Sequence, residues 1–458
     1  MGWLGLDDTD GLSGGCTTHT FHKLISLLAK DTNAAGEDWK WRVSSNPRLV
    51  RLWPFAERRT RGNAAVACEI ILFGEEDAMI DEGRVNESET ALLKRLDELW
   101  KGVVLADAER YGGASESHHD QRQQSEASPG MLWLKQDIDN KKYTMVVRGE
   151  VKLTDIMEYI DDNINATGGK VWKNNGGHGC IGALAAISWS GAVDHTWEAI
   201  AYRLEKNIGT PRFINNQKVI QLTTKFPDTF VNRDPTIDRS LISPRTPCPV
   251  LFGIRAETRD AADSAARWLL KDRNSENASS MRVWQTNQAT NDHLFHRYKG
   301  ALVEKPQIIK GGHAIIELKN DLKAIAFSQS GDINSVIQML ISGDEVEFCG
   351  IIPKGENIVH LERFVFKAPS PKRRLRPLCD CGSRFTSKGK GQQLKCPNCK
   401  EKIFDHWVES PLSAELAPLL GVWVEPPASA RRHLAAPLSR LHPDSPSRRA
   451  SFIHNITD

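Results

Sequence analysis

The chain has 458 residues, 40% of them apolar, with 60 Lys and Arg against 58 Asp and Glu. This length suits three or four domains with ordinary cores, and the balanced charge excludes an acidic solvating chain or a uniformly basic one. No apolar run approaches the roughly eighteen residues of a membrane span, and the opening lacks a signal-peptide pattern, so a cytoplasmic protein without membrane association is expected.

Residues 2–6 read as an apolar strand that ends in Asp7, Asp8 and Asp10. Gly14-Gly15-Cys16-Thr17-Thr18 then opens an amphipathic helix, with Phe21, Leu24, Ile25, Leu27 and Leu28 on one stripe. Ala64 to Phe73 reads as a buried strand and Glu87 to Val104 as a helix. Residues 106–129 are polar and nearly free of large aliphatics, which predicts a long loop or insert. Order resumes at Met131-Leu132-Trp133, and Val151 to Ile164 suits a helix. Asn174 to Gly182 is glycine-rich and leads into the helix former Ala183 to Ile187. Trp197–Arg203, Val219–Thr223 and Val250–Arg255 read as strands, and Asp260–Lys271 as a helix. Short alternating strands punctuated by glycine turns fill 301–366, which predicts a small barrel, with an OB-fold leading. A basic, proline-containing linker follows at 369–377, and the last residues read as disordered.

Strand-end carboxylates suit a hard divalent cation, magnesium above all, and the free N–H groups of a helix start suit a phosphate. Together they point to nucleotide-dependent phosphoryl chemistry. On a strand end, alternation aims Asp8 and Asp10 to one side and Asp7 to the other, while a turn after Leu6 offers a way to gather all three. An acidic turn with an Asx-type bond accounts for the same residues without a ligand. Thr17 and Thr18 allow two readings: one caps the helix, or a hydroxyl lies near the γ-phosphate. The spacing is not a Walker A motif, and Asp8-x-Asp10 keeps an aspartate-nucleophile phosphatase as a rival. The stretches 48–52 and 58–63 add arginines, whose guanidinium forks bind phosphate. Gly177 and Gly179 mark a second place where backbone approaches a phosphate, although packing accounts for such a turn equally well.

Nine cysteines fall as five singles and one group of four, which reads as reduced cytosolic thiols plus a metal site. Cys379-x-Cys381 and Cys396-x-x-Cys399 read as a four-thiolate structural zinc ribbon, one residue short in its first half. Between Lys367 and Lys402 there are eleven Lys/Arg against two Asp/Glu, a local basic footprint suited to nucleic acid. Cys68, Cys248 and Cys349 read as core residues.

GLDDTDGLSGGCTT, PRLVRLWPFAERRTRGNAA, GCIGALAAI, TFVNRD, PVLFGIRAE, QTNQATNDHL, KGGHAIIEL, SGDEVEFCG and EPPASARRHL follow one another along the chain. In this succession the chain resembles the archaeal tRNA(Ile) 2-agmatinylcytidine synthetase (tRNA-Ile agmatidine synthetase) family, over about residues 1–440 apart from the polar insert. The resemblance implies a multidomain α+β protein. Its expected parts are a kinase-like ATP-binding domain at 1–195, a ferredoxin-like domain at 196–298, an OB-fold at 299–368, a zinc ribbon at 369–405, and an RNA-contacting C-terminal segment at 406–458.

The implied activity is ligation of agmatine to C2 of the wobble cytidine of the CAU-anticodon isoleucine tRNA. ATP is consumed to AMP and phosphate, and the product reads AUA. The resemblance assigns Asp7, Asp8 and Asp10 to the catalytic magnesium–ATP cluster and Thr17 to the autophosphorylated threonine. Gly14, Gly15, Thr18, Arg61, Gly177 and Gly179 are the expected cofactor-binding residues. Asp234 and Asp292 are candidates for the dication agmatine, and Arg431, Arg432 and His433 for the tRNA. No protein partner is inferred. The chain departs from the family pattern at Thr246-Pro247-Cys248-Pro249, at Gly177-His178-Gly179 and in the short first cysteine pair. A non-catalytic tRNA-binding protein built on the barrel and ribbon is the alternative.

Overall fold

A computed structural model describes residues 2–59, 62–75, 81–116 and 123–441. Its described residues divide into two compact units, 2–295 with 431–441, and 296–430. Thr60 and Arg61 lie outside the described residues, as does the chain end beyond Leu441.

One ten-stranded sheet runs through the first unit. Its strands are β1 (Gly2–Asp7), β2 (Trp41–Val43), β3 (Arg48–Arg51), β4 (Ala64–Leu72), β5 (Gly130–Leu134), β6 (Gly169–Lys173), β7 (Thr196–Arg203), β8 (Thr229–Phe230), β9 (Val250–Ala256) and β10 (Ala278–Thr286). The order is β8-β9-β7-β10-β3-β4-β1-β5-β6, with β2 beside β4. Only the β10–β3 pairing is parallel. β1 runs antiparallel to both of its neighbours. The acidic turn therefore does not sit on the carboxyl edge of a parallel sheet: the end of β1 lies beside the start of β5, with Asp7 opposite Gly130.

The helices of this unit are α1 (Thr17–Ala35), α2 (Glu82–Leu99), α3 (Ala106–Tyr111), α4 (Lys141–Arg148), α5 (Leu153–Thr167), α6 (Gly179–Ser188), α7 (Asn216–Lys225) and α8 (Arg259–Leu270). Phe21, Leu24, Ile25 and Leu28 of α1 pack with Leu4, Leu6 and Trp284 on one face of the sheet. Trp3, Val50 and Leu132 pack on the other face with Ala183, Leu184 and Ile187 of α6.

Two expectations are corrected here. Val219–Thr223 is helical: Asn215 accepts a bond from the Gln217 N–H, and Val219 and Leu222, three residues apart, bury one side. The polar stretch 106–129 is not a loop throughout. A π-helical turn at Trp100–Leu105 carries α2 into α3, whose Asp107 is buried. Residues 115–116 then pair with 123–124, and 117–122 lie outside the described residues.

From 196 to 286 the elements run β-α-β-β-α-β, interrupted between β8 and β9 by a separate short hairpin (Arg233–Asp234 with Arg239–Ser240), and β7 to β10 continue the sheet of the first 195 residues through β10 and β3. Residues 431–441 return to the same unit, with Leu434 in the core beside α6. In the second unit, strands Arg297–Ala301, Glu345–Ile351, Ile358–Ala368, Lys323–Ala326, His313–Glu317 and Gln307–Ile309 neighbour one another in that order, with Trp423–Val424 beside Ile358–Ala368. A Leu302↔Leu318 bridge joins the first of these to the chain just beyond His313–Glu317, so the sheet curls back on itself. α9 (Asp332–Gln338) packs into that core.

α6 approaches β1 closely at two glycines. A Cβ on Gly182 would stand 1.9 Å from the Asp7 carboxylate, and one on Gly179 would stand 2.4 Å from the Asp7 carbonyl oxygen. Gly182→Ala is expected to lower unfolding free energy by about 1–3 kcal/mol through overpacking. Helix propensity alone predicts the opposite sign, by about 1 kcal/mol. Urea unfolding of the purified variant decides between them, and any gain in stability refutes the close approach.

Candidate functional site

The three aspartates leave β1 in different directions. The Asp7 carboxylate faces Gly182 in the first turn of α6. Its Oδ1 accepts the Asp8 N–H at 2.7 Å. Asp8 takes a left-handed backbone, φ 60°, and its Oδ2 accepts the Ser128 N–H at 3.1 Å. Asp10 is buried beside Gly15, on the approach to α1. Among the described residues, the only group of three or more ligating side chains drawn within 4.8 Å is the four cysteines. The turn therefore does not gather all three aspartates into a preformed metal cage.

Burial pushes the Asp7 carboxyl well above the usual carboxylate range, and the charges of Asp8 and Asp10 push it the same way. Burial and Asp10 raise Asp8 to about 6, against the pull of the Ser128 N–H and the Arg58 charge. Two buried carboxylates that repel each other retain oxygens for a cation. This donor set fits magnesium, which is commonly held by one or two carboxylates together with substrate phosphates.

Ser128 is fully buried and ties this turn to the glycine-rich one. Its hydroxyl donates to the Asn175 carbonyl at 2.6 Å and accepts the His178 N–H at 2.9 Å. Its carbonyl accepts the Gly179 N–H at 2.9 Å. In the sequence Ser128 falls within the polar insert and carries no mark of a site. The signal that finds it is antiparallel pairing of β1 with β5, which sets 128–130 alongside Asp7 and Asp8. The same contacts give Gly179 a packing role against β1.

α1 begins without a side-chain cap; its N-cap is Cys16, so neither threonine plays that part. The Cys16 Sγ lies 3.0 Å from Thr18 Oγ1, and the Thr18 carbonyl accepts the Tyr202 hydroxyl at 3.1 Å. The Thr9 hydroxyl donates to Thr17 Oγ1 at 3.3 Å and lies 3.4 Å from Thr20 Oγ1. The Thr20 hydroxyl donates to Asp107 at 2.7 Å, and Lys23 pairs with that carboxylate. Asp107 is a second residue hidden in the polar stretch. The Gly11–Gly14 turn lies against Tyr111, whose side chain fills the space that Gly14 and Gly15 leave.

The agmatine candidates have separate internal partners. Buried Asp234 accepts the Thr236 N–H and hydroxyl at 2.9 and 2.6 Å. Asp292 accepts the Tyr143 hydroxyl at 2.6 Å, and burial raises its carboxyl. Arg431, Arg432 and His433 do not belong to a free tail, because apolar Leu434, Ala435 and Ala436 anchor them in the first unit. The Arg432 guanidinium lies 4.4 Å over the Phe55 ring. The charge of Arg51, then burial and the charge of Arg255, hold the His433 imidazole well below the usual range.

In the second unit, Cys379 Sγ lies 3.3 Å from Cys399 Sγ and Cys381 Sγ 3.5 Å from Cys396 Sγ. Zinc–sulfur bonds of about 2.3 Å in a tetrahedron set sulfurs about 3.8 Å apart, so the four thiols fit zinc. The short first pair is accommodated by a turn in which the Cys379 N–H donates to the Ser383 carbonyl at 2.9 Å. Glu401 also meets the cluster, 3.0 Å from Cys379 Sγ. Beside it Phe404 is 82% exposed, and Trp407 carries Arg376 at 3.8 Å and Arg374 at 4.7 Å over its ring.

Family models described as the TiaS TCKD domain, the TiaS FLD domain and the TiaS C-terminal zinc ribbon domain match residues 3–168, 177–293 and 376–409. The isoleucine-tRNA 2-agmatinylcytidine synthetase TiaS of Methanopyrus kandleri is 30% identical over 95% of this chain and 96% of its own. That of Archaeoglobus fulgidus is 29% identical over 96% and 97%. A crystal structure of TiaS in complex with its isoleucine tRNA and ATP matches at TM-score 0.74 and 27% identity, covering 96% of this chain and 97% of that one. A complex of TiaS with the same tRNA, AMPCPP and agmatine matches at 0.71 and 25%, covering 98% of each chain. With this likeness running the length of both chains, the protein belongs to the TiaS family of isoleucine-tRNA 2-agmatinylcytidine synthetases.

Proposed function

We propose that this chain ligates agmatine to C2 of the wobble cytidine in the CAU-anticodon isoleucine tRNA, consuming ATP to AMP and phosphate and so enabling AUA decoding. The observation that carries the reading is full-length kinship with synthetases of that name. The buried carboxylate turn beside the uncapped start of α1 is its local support.

The C2 oxygen of cytosine is a poor leaving group until it is phosphorylated. Once one phosphoryl group of ATP has been transferred to it, the amine of agmatine attacks C2, the C–O bond breaks, phosphate departs and the nitrogen sheds its proton; water cleaves the remaining phosphoanhydride, so that AMP and a second phosphate complete the balance. Such transfer depends on positioning and charge neutralisation more than on covalent help from the protein. Asp7, Asp8 and Asp10 are the residues we assign to the magnesium–ATP complex. Magnesium, when bound, supplies neutralisation of the triphosphate charge. Thr17 is assigned as the phosphorylated hydroxyl, and the Thr9–Thr20–Asp107 contacts fix its rotamer. Gly14, Gly15, Thr18, Gly177 and Gly179 shape the nucleotide side, and Arg61 joins them by its place in the sequence. Agmatine is assigned to Asp234 and Asp292, and tRNA to Arg431, Arg432 and His433 together with the barrel and ribbon. The β-α-β-β-α-β order supports a ferredoxin-like part, and the curled sheet with α9 between the strands Lys323–Ala326 and Glu345–Ile351 supports an OB-fold. A kinase-like reading of residues 1–195 and a cytoplasmic location complete the proposal.

Three measurements test it. Asp10→Ala is expected to reduce agmatine- and tRNA-dependent AMP release by about a hundredfold or more, with tRNA binding retained in a filter assay. Near-normal agmatidine, read by mass spectrometry of the wobble nucleoside, would remove Asp10 from the site.

The second concerns pH. Asp8 is held at about 6 instead of its ordinary 3.8. Its contribution to stability is complete below the ordinary value and is lost as pH rises through the raised one. The metal-free protein should therefore lose thermal stability between about pH 4 and 6, while stabilisation by magnesium grows over the same range. Asp8→Asn should flatten both trends, and a magnesium effect that does not change with pH contradicts the assignment.

Third, a Cys396→Ser, Cys399→Ser double variant should release zinc and weaken tRNA binding while ATP binding persists. Full zinc content by elemental analysis would exclude the four-thiolate site.

A further inference from the structure

Arg51 at the end of β3 and Arg255 on β9 both reach toward Glu198 on β7. The three side chains are 14%, 13% and 5% exposed. The gaps to the carboxylate are 3.8 and 3.7 Å, too long for hydrogen bonds. The buried Nε of each arginine has no hydrogen-bond partner. Arg51 donates from Nη1 to the Gly62 carbonyl, whereas the Arg255 guanidinium makes no hydrogen bond among the described residues. Glu198 is already engaged by Gln288.

Two other buried arginines of this unit, Arg203 and Arg440, are treated differently. Arg203 is 1% exposed and places Nε and Nη2 on the two oxygens of Glu276, each at 2.7 Å. Arg440, 3% exposed, has Asp194, Glu257 and the Ala289 carbonyl. A guanidinium kept from water without such partners carries a large desolvation cost, which an anion offsets.

The charges do not balance internally. Two guanidiniums share one carboxylate, and the charge of Arg51, then burial and the charge of Arg255, lower the His433 imidazole beside them. The group also faces the start of α1. Arg255 and Glu198 oppose each other in register, Glu198 opposes Trp284, and Trp284 packs with Phe21 and Leu24 of α1. Arg51 interacts electrostatically with Cys16, the residue that opens that helix.

We propose that Arg51 and Arg255 form a phosphate-binding fork, completed by an oxyanion between them and edged by His433. This rests on the ATP- and tRNA-dependent reading above, and it adds Arg255, Arg51 and Glu198 to that site. The ligand chemistry is a phosphate oxyanion taken in the plane of the guanidinium donors. Its source is either the triphosphate or a phosphodiester of the anticodon loop.

The test uses the full-length, zinc-loaded protein with two probes measured separately, Mg–ATP without tRNA and the isoleucine tRNA transcript without nucleotide. Arg255→Met should weaken one of them by about tenfold or more, the scale of a lost charge-assisted bond. Arg255→Lys should restore part of the loss. Weakened ATP binding identifies the triphosphate as the source, weakened tRNA binding identifies the RNA backbone, and wild-type affinity for both overturns the proposal. Glu198→Gln separates the fork from a purely structural ion triad. Removing the competing carboxylate should tighten the affected probe severalfold, whereas a structural triad predicts lower stability with no tightening, which also overturns the proposal. The two readings fail separately. Wild-type protein that forms agmatidine alongside an Arg255→Met variant with unaltered binding sinks only the fork. A wild type without ligase activity whose phosphate binding needs Arg255 sinks only the activity.

Discussion

The seating of α6 on β1 and β5 is the constraint from which the acidic site follows. Side chains at Gly179 or Gly182 would collide with the Asp7 backbone or carboxylate, so the helix start and the strand end occupy nearly the same space. Asp7 is thereby stripped of water. The chain must then turn sharply, and Asp8 does so in a left-handed conformation that costs a non-glycine residue free energy. Ser128 locks the turn from the far side by bonding both Asp8 and the 174–179 loop. Three mutually repelling carboxylates close in sequence are a poor way to stabilise an apo protein. The scaffold holds them under burial and repulsion that a bound cation would relieve.

The chain end shows a second use of packing to place charge. Leu434 sits in the α6 core, the Ala289 N–H donates to the His433 carbonyl, and the Asn291 N–H donates to the Leu434 carbonyl. Arg440 closes the segment through Asp194 and Glu257. Residues more than a hundred positions apart in the chain thus complete one surface. His433 comes to rest beside Arg51 and Arg255 because apolar neighbours on its own segment hold it there.

The legible parts of the fold are those with a local period. β1, β4, β7, β9, α1 and α8 each follow from apolar spacing and a recognisable start, such as Thr258 capping α8 through the Ala261 N–H. Val219–Thr223 misleads because its β-branched composition argues for a strand, while the deciding facts are a cap at Asn215 and burial at Val219 and Leu222. The stretch 106–129 misleads because polarity does not imply irregularity. α3 is polar where its surface is exposed and still buries Asp107 among Thr20 and Lys23.

The site is legible in its residue types and less so in its geometry. The residues proposed for it, Asp7, Asp8, Asp10 and the four cysteines, are picked out by chemistry and spacing, and Thr17 by the resemblance alone. What escapes a linear reading is partnership across the sheet. Ser128 meets Asp8 because β5 runs antiparallel to β1, and Arg255 meets Glu198 because β9 runs antiparallel to β7. Neither residue stands out by type or by local pattern. An arginine on a strand usually reads as a solvated edge. It becomes informative only when its neighbours are known and its donors are found buried without acceptors, in a unit that gives Arg203 and Arg440 full sets of partners. A deficit of this kind is visible only against the rest of the structure, even though Arg51 and Arg255 both stand in stretches that carry the family resemblance.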